Sequence, residues 1–306
     1  MILRSLKSGF VQMWANKRMV LVFYLANLLF GVILMLPFRA IVTRFVGHSL
    51  VGQDLAGRLD MDFLFEFLTY NKNVSSIFFN LVLIFPALYW LVSLFLSGGA
   101  FAVFLSGEKY SPGVFWGSTA RFAGRFFRLA LWSIPVLALL FCLQFVETGV
   151  QRLFFGSDPY QNITYWGGWI KVGLRTLSIL LFGLVLDYAR IHLVLTDERK
   201  TRRSLWRGLT FAFGKLTRTF GLAFILFVVG AVVLAIYNPV ANSLAAPNAL
   251  VILLLFLVQQ LYLFFRMMLR LTLFASELHL YQGLSAAVQT APVTPADDVG
   301  VEGVPA

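Results

Sequence analysis

The chain has 306 residues, of which 59% are hydrophobic, 16% aromatic and only 13% charged, and its net charge is +11. An average soluble domain carries about 25% charged residues, and 32 Phe with 7 Trp exceed what a water-soluble core hides. Composition thus excludes a disulfide-built secreted scaffold, a disordered regulator and a soluble enzyme of one or two domains, and it indicates a polytopic membrane protein.

A helix needs about 20 apolar residues to cross a hydrocarbon layer of about 30 Å. Six segments meet that length: Met19–Phe38, Ile77–Ser97, Leu129–Glu147, Gly167–Asp187, Thr219–Pro239 and Pro247–Met267. The expected fold is all-α, a six-helix transmembrane domain over residues 1–285 followed by a flexible cytoplasmic tail over 286–306. Sixteen Lys and Arg fall before the first span and in the second and fourth connections, against seven in the first, third and fifth. The positive-inside rule then places both termini in the cytoplasm. The basic start imitates a signal peptide, but its apolar run is near full span length and no A-x-A site precedes Arg39, so the first span reads as uncleaved. Cys142, the single cysteine, lies in an apolar run and reads as a small core residue.

Sliding the chain on itself by 90 residues pairs Glu108 with Glu198, Lys109 with Arg199, Trp116 with Trp206, Arg125 with Lys215 and Arg128 with Arg218. A weaker copy matches Gly9, Ala15 and Lys17 to Gly117, Ala123 and Arg125. The expected unit is an amphipathic elbow helix followed by a two-span hairpin, used three times in one orientation over about 5–105, 106–195 and 196–280. Ser111 and Thr201 stand as N-caps of the second and third elbows. The apolar stripes are Leu6, Phe10, Met13 and Trp14; Phe115, Trp116, Thr119, Phe122 and Phe126; and Leu205, Trp206, Leu209, Phe213 and Leu216. Such helices either lie at the inner headgroup level or pack on their own hairpins.

Three two-span repeats share an outline with mitochondrial carriers. The residues after Pro37, Pro135 and Pro239 are Phe-Arg-Ala, Val-Leu-Ala and Val-Ala-Asn, which lack that family's acid-then-base spacing. A closer likeness rests on Ser97-Gly98-Gly99 closing the second span and Asp187-Tyr188-Ala189-Arg190 closing the fourth, each followed by an elbow. On these residues the chain resembles the uncharacterised bacterial six-span proteins related to the membrane domain found beside some glycerophosphodiester phosphodiesterases. The resemblance implies a bacterial inner membrane and carries over no catalytic residue, because the phosphodiesterase domain has no counterpart here.

The sequence contains no H-E-x-x-H, Walker loop, G-x-G-x-x-G or G-x-S-x-G pattern, so no catalytic residue, metal site or cofactor is expected. His48, His192 and His279 form no ligand spacing. Charges inside spans are costly and therefore informative. Arg175, about 12 Å past Gly167 along a helix, either lines an anion-accepting cavity or snorkels with Lys171 to the outer headgroups. Asp187 and Arg190, three apart, share a helix face at the inner boundary, and Arg270 stands at the matching place in the third repeat. They make either a clasp between hairpins or a site for a phosphate headgroup.

Asn27, Asn80, Gln144, Gln259 and Gln260 read as bundle hydrogen bonds or as a polar path. The outer segment from His48 to Tyr70 is amphipathic, and the third connection holds Phe154, Phe155, Tyr160, Tyr165, Trp166 and Trp169, suited to an interfacial belt. The leading expectation is a non-catalytic protein that contacts anionic lipid at its cytoplasmic face, through Arg199, Lys200, Arg202 and Arg203 among others, or serves as a subunit of a membrane assembly. The placement of these cations argues against nucleic acid as a partner. A transporter for a small or amphiphilic substrate is the second expectation, and a membrane enzyme acting on lipid the third.

Overall fold

A computed structural model of the chain describes residues 1–47, 65, 69, 72–156, 159–243 and 248–289. The amphipathic segment expected from His48 to Tyr70 falls almost wholly outside them, as do residues 290–306 of the expected tail. Among the described residues the regular structure is helical: α1 (Ile2–Ala15), α2 (Lys17–Val46), α3 (Lys72–Ser106), α4 (Pro112–Phe141), α5 (Gln144–Phe155), α6 (Gln161–Thr196), α7 (Thr201–Gly214), α8 (Leu216–Ser243) and α9 (Ala249–Gln289). Six stretches within them are long and apolar enough to cross a membrane. Helices suit that role because every backbone polar group is satisfied within the segment.

The chain is thus a multi-pass helical membrane protein. Its last helix departs from the expected boundary. No Pro or early Gly interrupts the run after Met267, so α9 continues to Gln289 for 41 residues. At 1.5 Å per residue that is about 60 Å, twice a hydrocarbon layer. Residues 286–289, assigned in sequence to the tail, are its final turn.

Three central helices, α3, α6 and α9, touch one another. Each peripheral helix fills the gap between two of them: α2 against α3 and α9, α4 against α3 and α6, α8 against α6 and α9. The large buried side chains gather at one end. They come from the starts of α2 and α8 (Phe23, Leu222), the middle of α4 (Phe126) and the second halves of α3, α6 and α9 (Phe101, Tyr188, Phe274). All three hairpins therefore begin and end at this packed end. Toward the opposite end most large apolar side chains are exposed, as in Leu29, Leu83, Ile236 and Leu253. Lipid solvates such surface, so burying it brings no hydrophobic gain between helices.

The elbows pack chiefly on neighbouring hairpins rather than on their own. α1 lies along α9, the first half of α4 along α3, and α7 along α6. Each rests on the hairpin before it, and the first elbow rests on the last hairpin. Glycines and small residues permit the contact. A Cβ on Gly9 would stand 2.6 Å from the Ser276 backbone nitrogen, one on Gly208 2.5 Å from that of Ala189, and one on Gly99 2.6 Å from the Phe115 carbonyl oxygen.

The buried face of α1 is Ser5, Gly9 and Met13, whereas Phe10 and Trp14, half of the expected stripe, stack on each other outside. In α7 Leu205 is buried, but Trp206 and Phe213 point outward, as does Leu216 at the start of α8. In α4 Trp116 alone of its stripe is exposed.

Three further expectations need correction. The second elbow is no separate helix, because α4 runs unbroken from Pro112 into its span; the first and third break at Asn16 and Lys215. Ser111 occupies the N-cap of α4 but its hydroxyl makes no cap bond, and Thr201 is drawn inside α7 and buried, leaving Lys200 as N-cap. Cys142 is exposed, at the break where α4 ends.

Candidate functional site

Two polar constellations occupy the packed end. The deeper one centres on Arg190, 4% exposed, at the point where the three central helices meet. It pairs with Asp187 one turn earlier on α6. Its Nη1 donates to Ser97 Oγ of α3 at 2.7 Å, and its guanidinium lies 5.8 Å from the Phe101 ring and 5.5 Å from the Phe274 ring of α9. The Arg270 guanidinium also meets Phe274, at 5.7 Å, and faces the Tyr89 hydroxyl. The structure thus brings Asp187, Arg190 and Arg270 to one junction, through an aromatic ring rather than by equivalent position.

Sequence reasoning missed Glu277. This carboxylate is 1% exposed beside Arg190, and neither of its oxygens accepts a hydrogen bond. It escaped because the last span was closed at Met267; Phe274, Glu277 and Tyr281, at helical spacing on the continuing helix, were the available signal.

The second constellation is the turn from α6 to α7. Asp197 ends α6 in the left-handed region, with φ 51°. Gly107, 90 residues earlier, follows α3 with φ 68°, so both positions have a positive φ. Asp197 receives Arg121 Nη2 and Arg125 Nη1, each at 2.6 Å, and Arg125 also donates to the Asp197 carbonyl at 3.2 Å. The Arg125 hydrogen bond, helped by both positive charges, holds the Asp197 carboxyl below its ordinary range. Lys215 Nζ donates in the same way to the Leu284 carbonyl near the end of α9, at 3.3 Å, and Gln12 Nε2 to the Phe104 carbonyl near the end of α3, at 2.6 Å. Donors and cations at helix C-termini satisfy free carbonyls and complement the helix dipole.

The four cations expected to act together divide here. Arg203 stands 3.7 Å from Glu198, which also faces His192 at 3.6 Å. Arg202 stacks 4.4 Å over the ring of Trp132, an exposed residue of the α4 span. Arg199 and Lys200 are exposed, and no carboxylate pairs with them among the described residues. His192, Thr196, Glu198, Arg203 and Arg207 line a polar recess of about 380 Å³, where His192 Nδ1 lies 2.9 Å from the Tyr281 hydroxyl.

Arg175 belongs to neither place. It is exposed near the opposite end, bonded to Gln144 Oε1 at 3.1 Å and 3.3 Å, which ties α6 to the start of α5. Two other span amides find partners inside the bundle: Asn27 donates to Tyr89 at 3.2 Å, and Gln260 accepts from Tyr24 at 2.8 Å. Among the described residues no group of three His, Cys, Asp or Glu is placed to hold a metal ion. No family model, curated protein or solved structure matches the chain.

Proposed function

We propose that this multi-pass membrane protein is non-catalytic and binds anionic phospholipid headgroups at its packed end, which faces the cytoplasm of a bacterial inner membrane. The reading rests chiefly on Arg199 and Lys200, exposed cations without an anionic partner among the described residues, flanked by Arg202 on Trp132 and by the outward Trp206. Outward Trp14 and Trp116 give the other two elbows the same interfacial character. The arrangement supports three hairpins related about an axis along the membrane normal, as in proteins with parallel internal repeats. A resemblance to the six-span proteins related to the phosphodiesterase membrane domain is compatible with this, and protein partners in the membrane fit the same surface.

The test uses the double variant Arg199→Gln/Lys200→Gln. Each cation near an anionic surface contributes about 1 kcal/mol, so the pair accounts for about 2 kcal/mol, or roughly thirtyfold in affinity before screening. Native mass spectra from mixed bilayers should show reduced retention of phosphatidylglycerol and unchanged phosphatidylcholine. Equal phosphatidylglycerol retention by variant and parent refutes the reading.

One observation favours a transporter as the second reading: Asp187, Arg190, Arg270 and Glu277 cluster on central helices, and buried charges in membrane segments commonly mark substrate or ion paths. A solute-uptake phenotype lost in Glu277→Gln at unchanged expression would support it.

A further inference from the structure

A second binding site lies at the opposite end, between α5 and α6. Past the break at Cys142, α5 runs on beside the start of α6, and the two line a groove of about 490 Å³. Its walls are chiefly apolar, with Val146 and Val150 of α5 facing Trp166, Ile170 and Leu174 of α6. Glu147 also lines it and is only 9% exposed. Among the described residues its side chain accepts a hydrogen bond only from the neighbouring Thr148 hydroxyl, at 3.0 Å, and none of the ion pairs includes it. Gln151 Nε2 and Glu147 Oε1 both stand over Gly167, and the Gln151 amide donates to the Ile163 carbonyl at 3.2 Å.

A carboxylate held in an apolar groove without a counter-charge is costly, and a ligand that brings a cation removes the cost. The bilayer supplies such a ligand at this depth. Tyr165, Trp166 and Trp169 are all exposed beside the groove, and exposed Trp and Tyr mark the headgroup level of a membrane. A groove of this volume is within the range of small-molecule sites. Arg152 and Lys171 directly follow the lining residues Gln151 and Ile170, so cations for a phosphate stand on the same two helices.

We infer that this groove holds a phospholipid with an ammonium-bearing headgroup, its acyl chain along Val146, Val150, Ile170 and Leu174 and its ammonium on Glu147. The inference is independent of the anionic-lipid reading, which concerns the other end of the bundle.

The full chain is tested in detergent by native mass spectrometry with phosphatidylethanolamine, its N-acetylated derivative and phosphatidylglycerol. The parent protein should retain phosphatidylethanolamine over the N-acetylated lipid, a comparison that needs no variant. A hydrogen bond to a charged group at such a site corresponds to about tenfold or more in affinity. Glu147→Gln keeps the side chain's size and its acceptor for Thr148, and should lower phosphatidylethanolamine retention by about that factor while leaving phosphatidylglycerol unchanged. Val150→Trp, on the groove wall, should lower it by filling the space. Equal retention of the amine and its N-acetylated form by the parent overturns the inference, as does a Glu147→Gln variant that binds phosphatidylethanolamine like the parent. Arg199→Gln/Lys200→Gln should leave this binding intact, so the two lipid sites fail or stand separately.

Discussion

The sharpest test of the architecture is to add one methyl group to each elbow contact. An alanine at Gly9 or Gly208 places its Cβ 2.5 to 2.8 Å from backbone atoms of Ser276 or Ala189, and at Gly99 it stands 2.6 Å from the Phe115 carbonyl oxygen. Carbon atoms in favourable contact sit about 3.5 to 4.0 Å apart, so each substitution is about 1 Å short of room. Backbone cannot rotate out of the way, and the helices must separate.

Overpacking of this kind costs about 1–3 kcal/mol, offset by the gain of up to about 1 kcal/mol that Ala has over Gly inside a helix. Gly117 and Gly124 serve as controls: both are inside α4, and a Cβ on either meets nothing within 4 Å. There the propensity gain acts alone. The two classes should differ by about 1–3 kcal/mol, with Gly9, Gly208 and Gly99 on the destabilised side. Unfolding equilibria of the five single variants in mixed micelles measure this directly. If Gly9→Ala and Gly117→Ala shift stability in the same direction, the packing of α1 on α9 is wrong.

Other expectations concern the charges. Arg190→Met leaves Asp187 and Glu277 buried without their cation and should cost about 3–5 kcal/mol; adding Asp187→Leu should recover part of it, and a double-mutant cycle by unfolding measures the coupling. Asp197→Asn keeps the left-handed turn accessible but removes the charge held by Arg121 and Arg125, so amide exchange in the α6–α7 turn should quicken. The same clamp carries a pH signature. A carboxyl whose folded pKa is depressed contributes fully above its ordinary value and loses that contribution as pH falls through the depressed one, so protection there, corrected for the intrinsic pH dependence of exchange, should hold its neutral value until acid is reached. Protection lost already near neutrality is evidence against the clamp.

Legibility in the sequence followed range. The Asp187–Arg190 pair was readable because three residues on a helix span one face. The 90-residue register joined Arg125 to Lys215, and in the structure both donate to carbonyls near the end of their hairpin's second span. Long-range partners were not readable. Asp197 meets Arg121 and Arg125 across 76 and 72 residues, and Arg190 meets Ser97 across 93. Nor did the cluster from Arg199 to Arg203 reveal that Arg203 pairs with Glu198 while Arg199 has no such pair among the described residues. Glu147 lay at the expected edge of a span, where a carboxylate normally meets water; only the fold of α5 onto α6 encloses it.

Chemistry along the chain was sufficient for the class. Apolar runs of span length must close their own backbone hydrogen bonds, so six membrane-crossing helices follow from composition and length. Which face of each helix meets another was decided in three dimensions. In lipid an outward Phe or Trp costs little, and close backbone approach at glycine governs association instead. That is why Gly9 and Gly208, not Phe10 and Trp206, mark the buried sides of their elbows.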